Sequence, residues 1–139
     1  MTYPRNDQIQ YAIIDYLKDD ATILAEFDSS EEIKEDQWQG TTFLYPALRV
    51  NLIENKPSQQ TQNCSQGAIK LQIEVFTEDD SSRHCDRIAG IICNVLHPQQ
   101  FTNQSIHLAL TLENLVPAKR RDEKTWEAQI KMMGTASIG

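Results

Sequence analysis

Two stretches of the chain carry hydrophobic side chains at three- and four-residue steps, the spacing that places them on one face of an α-helix. The first can start at Asn6 or Asp7 as its N-cap, and a shorter helical turn is predicted after Asp20. The second ends at His97-Pro98, because a residue before proline avoids the helical region. The hydrophobic residues of the two stretches are Ile9, Ala12, Ile13, Tyr16 and Leu17, and then Cys85, Ile88, Ile91, Ile92, Val95 and Leu96.

Four further segments alternate hydrophobic and polar side chains, which is the period of a strand with one buried face. Their hydrophobic positions are Leu48, Val50 and Leu52; Ile69, Leu71, Ile73 and Val75; Ile106, Leu108, Leu110 and Leu112; and Trp126, Ala128, Ile130 and Met132. Neighbouring alternating segments favour an antiparallel sheet with helices on one face. The predicted fold class is therefore α+β, a single domain over residues 1–139. It has a four-stranded antiparallel sheet with two main helices packed on one face, in the order α-(α)-β-β-α-β-β.

The core is predicted from the inward positions of these elements. The strand residues expected in it are Ile69, Leu71, Ile73, Val75, Leu108, Leu110, Trp126 and Ile130, and the helix residues are Ile13, Leu17, Ile88, Ile92 and Val95.

The composition and net charge of the chain limit the classes of function that it can have. The 139 residues are 40% hydrophobic and 24% charged, which is typical of a globular domain, and no apolar run reaches the roughly 20 residues of a membrane span. The first residues lack the pattern of a signal peptide, so we expect the protein to stay in the cytoplasm of the cell that makes it. The three cysteines have no C-x-x-C spacing and are interpreted as free thiols. A net charge of −7 argues against nucleic acid as the principal ligand.

The sequence contains no strong catalytic motif. Its five glycines form no phosphate-binding loop, and neither G-x-S-x-G nor H-E-x-x-H occurs. Cys93 and His97 are four residues apart on a predicted helix and are an alternative metal pair. An unrecognised hydrolase that uses Asp or Glu side chains is a further alternative. The prediction is a protein that is not an enzyme and holds no cofactor or metal.

Three polar segments are candidate assembly surfaces. The connection over residues 55–67 is longer than a hairpin needs and rich in uncharged amides, which suit a hydrogen-bonded interface. The acidic stretch over residues 28–40 is predicted to be a surface loop, and the basic turn over residues 119–124 separates the last two strands. The candidate interface residues are Gln59, Gln60, Gln62, Asn63, Gln66, Glu31, Glu32, Glu35, Asp36, Lys119, Arg120, Arg121 and Lys124.

The order of these elements resembles the tail terminator (tail completion) proteins of long-tailed bacteriophages. The resemblance covers nearly the whole chain and is carried by loose apolar motifs. These are Ile9-Gln10-Tyr11-Ala12-Ile13-Ile14-Asp15-Tyr16-Leu17, Phe43-Leu44-Tyr45-Pro46-Ala47-Leu48-Arg49-Val50, Leu71-Gln72-Ile73-Glu74-Val75-Phe76, Ile88-Ala89-Gly90-Ile91-Ile92-Cys93-Asn94-Val95-Leu96 and Trp126-Glu127-Ala128-Gln129-Ile130. The acidic stretch departs from the family pattern.

The resemblance implies a virion structural protein, assembled in the host cytoplasm, that forms a hexameric ring on the finished tail tube. Its partners would be copies of itself, the tail tube protein and the head-side connector, with the sheath protein as a further candidate. Genome DNA would pass through the lumen, and no membrane would be involved. An acidic patch on one subunit could meet the basic turn of the next. The alternative function is a small cytoplasmic adaptor or regulatory domain that binds one partner through residues 55–67.

Overall fold

Three helices and six strands make up the described part of the chain. The computed structural model describes residues 3–27, 32–35, 45–57, 66–97, 99–103, 105–121 and 124–138. The helices are α1 (Asn6–Lys18), α2 (Ala21–Leu24) and α3 (Arg83–Leu96). The strands are β1 (Ile33–Glu35), β2 (Ala47–Pro57), β3 (Gln66–Glu78), β4 (Gln99–Asn103), β5 (Ile106–Arg120) and β6 (Thr125–Ile138).

The strands form one curved sheet, a half-barrel, in the order β1-β2-β3-β6-β5-β4. Strand β1 runs parallel to β2, and the other neighbouring pairs are antiparallel. The predicted four-stranded antiparallel sheet is therefore wrong, since a short strand extends the sheet at each edge and makes it mixed. The four strands that were predicted are the four central ones.

The two edge strands are too short to be recognised by alternation. Strand β1 has three residues, of which Ile33 alone is hydrophobic, and it lies in the acidic stretch that was predicted to be a loop. Strand β4 has five residues, with Phe101 as its one large hydrophobic side chain. Their pairing with β2 and β5, not their own composition, makes them strands.

The helix ends follow from nearby polar groups. The backbone N–H of Arg5, the N-cap of α1, donates to the Gln8 side-chain oxygen at 2.8 Å. The predicted N-cap, Asn6 or Asp7, is therefore one or two residues too late. The carboxylate of Asp20 accepts from a backbone N–H of α2 at 3.0 Å, which confirms the predicted break between the first two helices.

The core lies between the sheet and the helices α1 and α3. Most of the side chains predicted to be inward are between 0% and 2% exposed, namely Ile13, Leu17, Ile69, Leu71, Ile73, Val75, Ile88, Ile92, Leu108, Leu110 and Ile130. Val95 and Trp126 were predicted to be in the core but are only partly buried against it. The period-two and helical patterns thus identified the correct faces of the long elements.

Strand β5 continues well beyond its outer neighbour. It has fifteen residues, but β4 pairs with it only up to Leu110, and two bulges interrupt its ladder with β6. Beyond that point, side chains accept two of its backbone hydrogen bonds. The N–H of Leu112 donates to Nδ1 of His97, and the N–H of Ala118 donates to the Asp86 carboxylate, both at 2.8 Å.

Gly134 permits a close approach of β6 to β5. A Cβ atom at this position would collide with the backbone carbonyl oxygen of Ala109. We expect Gly134→Ala to destabilise the protein by about 1–3 kcal/mol, because a backbone atom cannot move aside as a side chain can. In α3, the position that a Cβ atom would take at Gly90 has open space around it. Gly90→Ala is therefore a matched control, which should stabilise the protein by roughly 0.5–1 kcal/mol. Urea denaturation of both variants measures the difference, and equal midpoints would contradict the expected clash.

Candidate assembly surfaces

The first predicted surface, the connection over residues 55–67, is partly a hairpin. Strands β2 and β3 pair as far as Pro57 and Gly67, so Asn55 belongs to a strand and not to a loop. Residues 58–65, which include the predicted interface residues Gln59, Gln60, Gln62 and Asn63, lie outside the described residues. Gln66, the first residue of β3, is exposed as predicted.

The base of this hairpin is attached to the start of the chain. Tyr3 donates its hydroxyl hydrogen bond to the Asn55 side-chain oxygen at 2.5 Å, and Asn55 donates to the Asn6 side chain at 2.8 Å. Further along β2, the backbone N–H of Leu52 donates to the side chain of Gln10 in α1 at 3.2 Å. The hairpin therefore projects from a base that α1 and the preceding segment hold in place.

The second predicted surface, the acidic stretch, contributes a buried ion pair instead of an exposed patch. The Glu32 carboxylate lies 3.2 Å from an Arg49 guanidinium nitrogen, and the two side chains are only 5% and 6% exposed. Arg49 also donates to the backbone carbonyl oxygen of Glu32 at 2.7 Å. Glu32 is thus not on an exposed assembly surface, because it anchors β1 to β2. Glu35 is the last residue of β1, and Glu31 and Asp36 lie outside the described residues.

Removal of one partner of this buried pair should be costly. Arg49→Met leaves the Glu32 carboxylate buried with Lys34, 3.9 Å away, as its remaining cation. We expect a loss of about 3 kcal/mol or more in the free energy of unfolding. The double variant with Glu32→Leu should recover part of that loss, because no charge is then left buried.

The exposed pair of Lys56 and Glu54 is the matched control for this prediction. Its charged atoms are closer, at 2.8 Å, but the Lys56 side chain is 72% exposed. Lys56→Met should therefore cause no measurable loss in urea denaturation. Additive effects of the two substitutions at Arg49 and Glu32 would show that the pair does not act as a unit.

In the third predicted surface, the basic turn, the described cations are exposed as predicted and two of them contact neighbouring residues. The Arg121 guanidinium lies 5.1 Å from the centre of the Phe76 ring, and the Lys124 ammonium lies 3.6 Å from the Asp80 carboxylate. The backbone N–H of Asp79 donates to the Lys124 carbonyl oxygen at 2.8 Å. The turn therefore projects from the end of the sheet in a position fixed by the segment that precedes α3.

Two further cations of the basic turn belong to β5. Lys119 and Arg120 are its last two residues, and both are exposed. In the β5–β6 ladder, Lys119 is opposite Glu127.

The amide-rich connection and the basic turn lie at opposite ends of the sheet. Pro57 pairs with Gly67, which pairs with Ala136 of β6, whereas Lys119 pairs with Glu127 of the same strand. Ala136 and Glu127 are nine residue steps apart along β6, a distance of roughly 30 Å at the rise of an extended strand. The strand ends from which the two segments start therefore lie at opposite ends of the sheet.

The thiols of Cys85 and Cys93 are buried, and the described imidazoles have polar partners. Burial raises the pKa of the Cys85 thiol to about 11, and its Sγ donates to the Val75 carbonyl oxygen at 3.3 Å. Burial also raises the pKa of Cys93. His107 is exposed, as its outward strand position predicted, and its Nδ1 lies 2.6 Å from the Thr102 hydroxyl. Within the described ranges, no group of three or more His, Cys, Asp or Glu residues is placed to hold a metal ion.

The raised pKa of Cys85 gives the stability a defined pH dependence. Below pH 9.0, the ordinary pKa of the thiol, Cys85 is protonated in the folded and the unfolded chain. Its contribution to the free energy of unfolding is then fully present. As the pH rises towards the folded value of about 11, the unfolded chain ionises first and the stability falls. Urea denaturation at a series of pH values should show a steeper decline for wild type than for Cys85→Ala. Parallel curves would contradict the assignment.

None of the described helices is long and apolar enough to cross a membrane. Sequence comparison identifies no relatives: no model of a known protein family matches the chain, and no curated protein matches it. Structural comparison does find a similar fold. A chain from the virion of a native gene transfer agent (GTA) particle superimposes with a TM-score of 0.71 over 98% of this chain and 99% of that one. The two sequences are 14% identical, so the likeness establishes the fold.

Proposed function

We propose that this chain is a virion structural protein of a phage-like particle. In this proposal it forms a hexameric ring that caps the tail tube, ends tube polymerisation and joins the tail to the head-side connector. The observation that carries the proposal is the likeness to a chain from a GTA virion, which covers 98% of this chain and 99% of that one. The resemblance of the sequence motifs to tail terminator proteins supports the same role independently.

The separation of the strand ends that carry the two polar segments is compatible with a ring. A subunit in a ring needs two unlike patches, since each contact joins one patch to a different one on the next copy. The amide-rich hairpin and the basic turn differ in charge and lie at opposite ends of the sheet. Glu32 does not take part in the predicted contact between the basic turn and the acidic stretch, because its carboxylate is buried in an ion pair with Arg49.

The other partners follow from the same proposal. The ring contacts the tail tube protein on one side and the connector on the other, with the sheath protein as an additional partner in a contractile tail. The net charge of −7 disfavours adhesion of the genome as it passes through the lumen. The protein would be assembled in the host cytoplasm and remain in the virion, and no enzymatic step is part of this role.

Deletion of the gene for this protein from the genome that encodes the particle tests the proposal. We expect free heads together with unattached tails of uncontrolled length, because nothing would then end the tube. Negative-stain electron microscopy measures tail length and the fraction of joined particles, and a plasmid-borne copy should restore both. Normal particles from the deletion strain would contradict the proposed function.

A further inference from the structure

The outer face of the sheet carries an uncharged area on two neighbouring strands. In the described part of the chain, α1 and α3 pack on the other face, where the core lies. We call this area the outer patch, and it is formed by the paired residues His107 and Ser137, Ala109 and Thr135, and Thr111 and Met133. All six are exposed or partly exposed. Four of them, His107, Ala109, Thr135 and Ser137, border a cavity of about 380 Å³.

The absence of Lys, Arg, Asp and Glu from the outer patch distinguishes it from the surface around it. The chain as a whole is 24% charged, and Lys131 and Glu127 follow on the same face of β6. Depletion of charge and enrichment of methionine are characteristic of the centre of a protein interface. Met133 is 39% exposed and is the large apolar side chain of the outer patch.

Two lysines lie beside Met133. Lys70 pairs directly with it across the β3–β6 ladder, and Lys131 is two residues away on the same face of the same strand. Glu54, which is opposite Lys70 in the next strand, pairs with Lys56 at 2.8 Å and is also attracted by Lys70. Met133 is therefore an apolar contact point with ammonium groups on two sides.

Helix α1 carries a surface of complementary character on the other side of the molecule. Tyr11 is 43% exposed, more than any other aromatic side chain in the described residues. Asp7 and Asp15 lie one helical turn before and after it, about 6 Å away on each side along the axis. Asp7 forms an exposed ion pair with Arg5 at 3.0 Å, and such pairs rearrange at little cost.

We propose that Tyr11 of one copy packs on Met133 of the next, with Asp7 and Asp15 facing Lys70 and Lys131. This inference rests on the proposed ring and adds a second contact between its subunits, beside the hairpin and the basic turn. The aromatic ring packs on the thioether at one end of the outer patch, and the carboxylates face the two ammonium groups. The two surfaces lie on opposite layers of the subunit, so the contact is heterologous and each copy can hold two neighbours, as a ring requires.

A charge exchange tests this contact directly. The sheet variant carries Lys70→Glu and Lys131→Glu, and the helix variant carries Asp7→Lys and Asp15→Lys. Each variant alone should self-associate at least tenfold more weakly than wild type in sedimentation velocity, because like charges then face each other. The combination of all four substitutions in one chain should restore association, as should an equimolar mixture of the two variants.

Arg83→Glu is the matched control, since it reverses an exposed charge on α3 away from both surfaces. It should leave association unchanged, and thermal melting of every variant verifies that the fold is retained. The contact is overturned if the separate variants associate like wild type, if the four-substitution chain fails to recover, or if wild type stays monomeric at its highest soluble concentration. These outcomes are distinct from failure of the proposed function, which the deletion phenotype decides separately.

Discussion

The pairing of β3 with β6 determines which side of the sheet each neighbouring side chain occupies. Every residue of β3, from Gln66 to Glu78, has a partner in β6. Because side chains alternate between the two faces, a shift of one residue would exchange the apolar face for the polar one. In the native register Leu71 is opposite Met132 in the core, whereas Lys70 is opposite Met133 on the outside. The core and the outer patch therefore depend on the same ladder.

The sequence predicted those parts of the fold in which a pattern repeats over many residues. The alternation in β3 extends over seven positions, from Ile69 to Val75, and the helical spacing in α3 extends over twelve, from Cys85 to Leu96. Both are long enough to identify the buried face. The edge strands β1 and β4 were missed, because one hydrophobic residue in three or five gives no period. Their formation depends on contacts with the neighbouring strand, and such contacts are not encoded in local spacing.

Charge in the sequence predicted a candidate surface correctly only where the charged side chains are exposed to solvent. The basic turn is exposed, as a run of cations between two strands indicated. Glu32 was wrongly assigned to the surface, because its partner Arg49 is seventeen residues away and occupies a polar position of β2. A buried pair of this kind has no local signal in the sequence, since each member alone looks like an ordinary solvated side chain. The outer patch was missed for the opposite reason: it is defined by the absence of charge across two strands that only the register brings together.

The outer edge of β5 has a consequence for how the protein behaves at high concentration. A long strand without an outer neighbour is a template on which another chain can add a strand, and this is a common start of aggregation. Here Pro117 lacks a backbone donor, two bulges distort the edge, and His97 and Asp86 occupy two of its N–H groups. Uncontrolled strand addition along this edge is thereby obstructed. Many copies can then accumulate in one cell and remain available for contacts made by side chains.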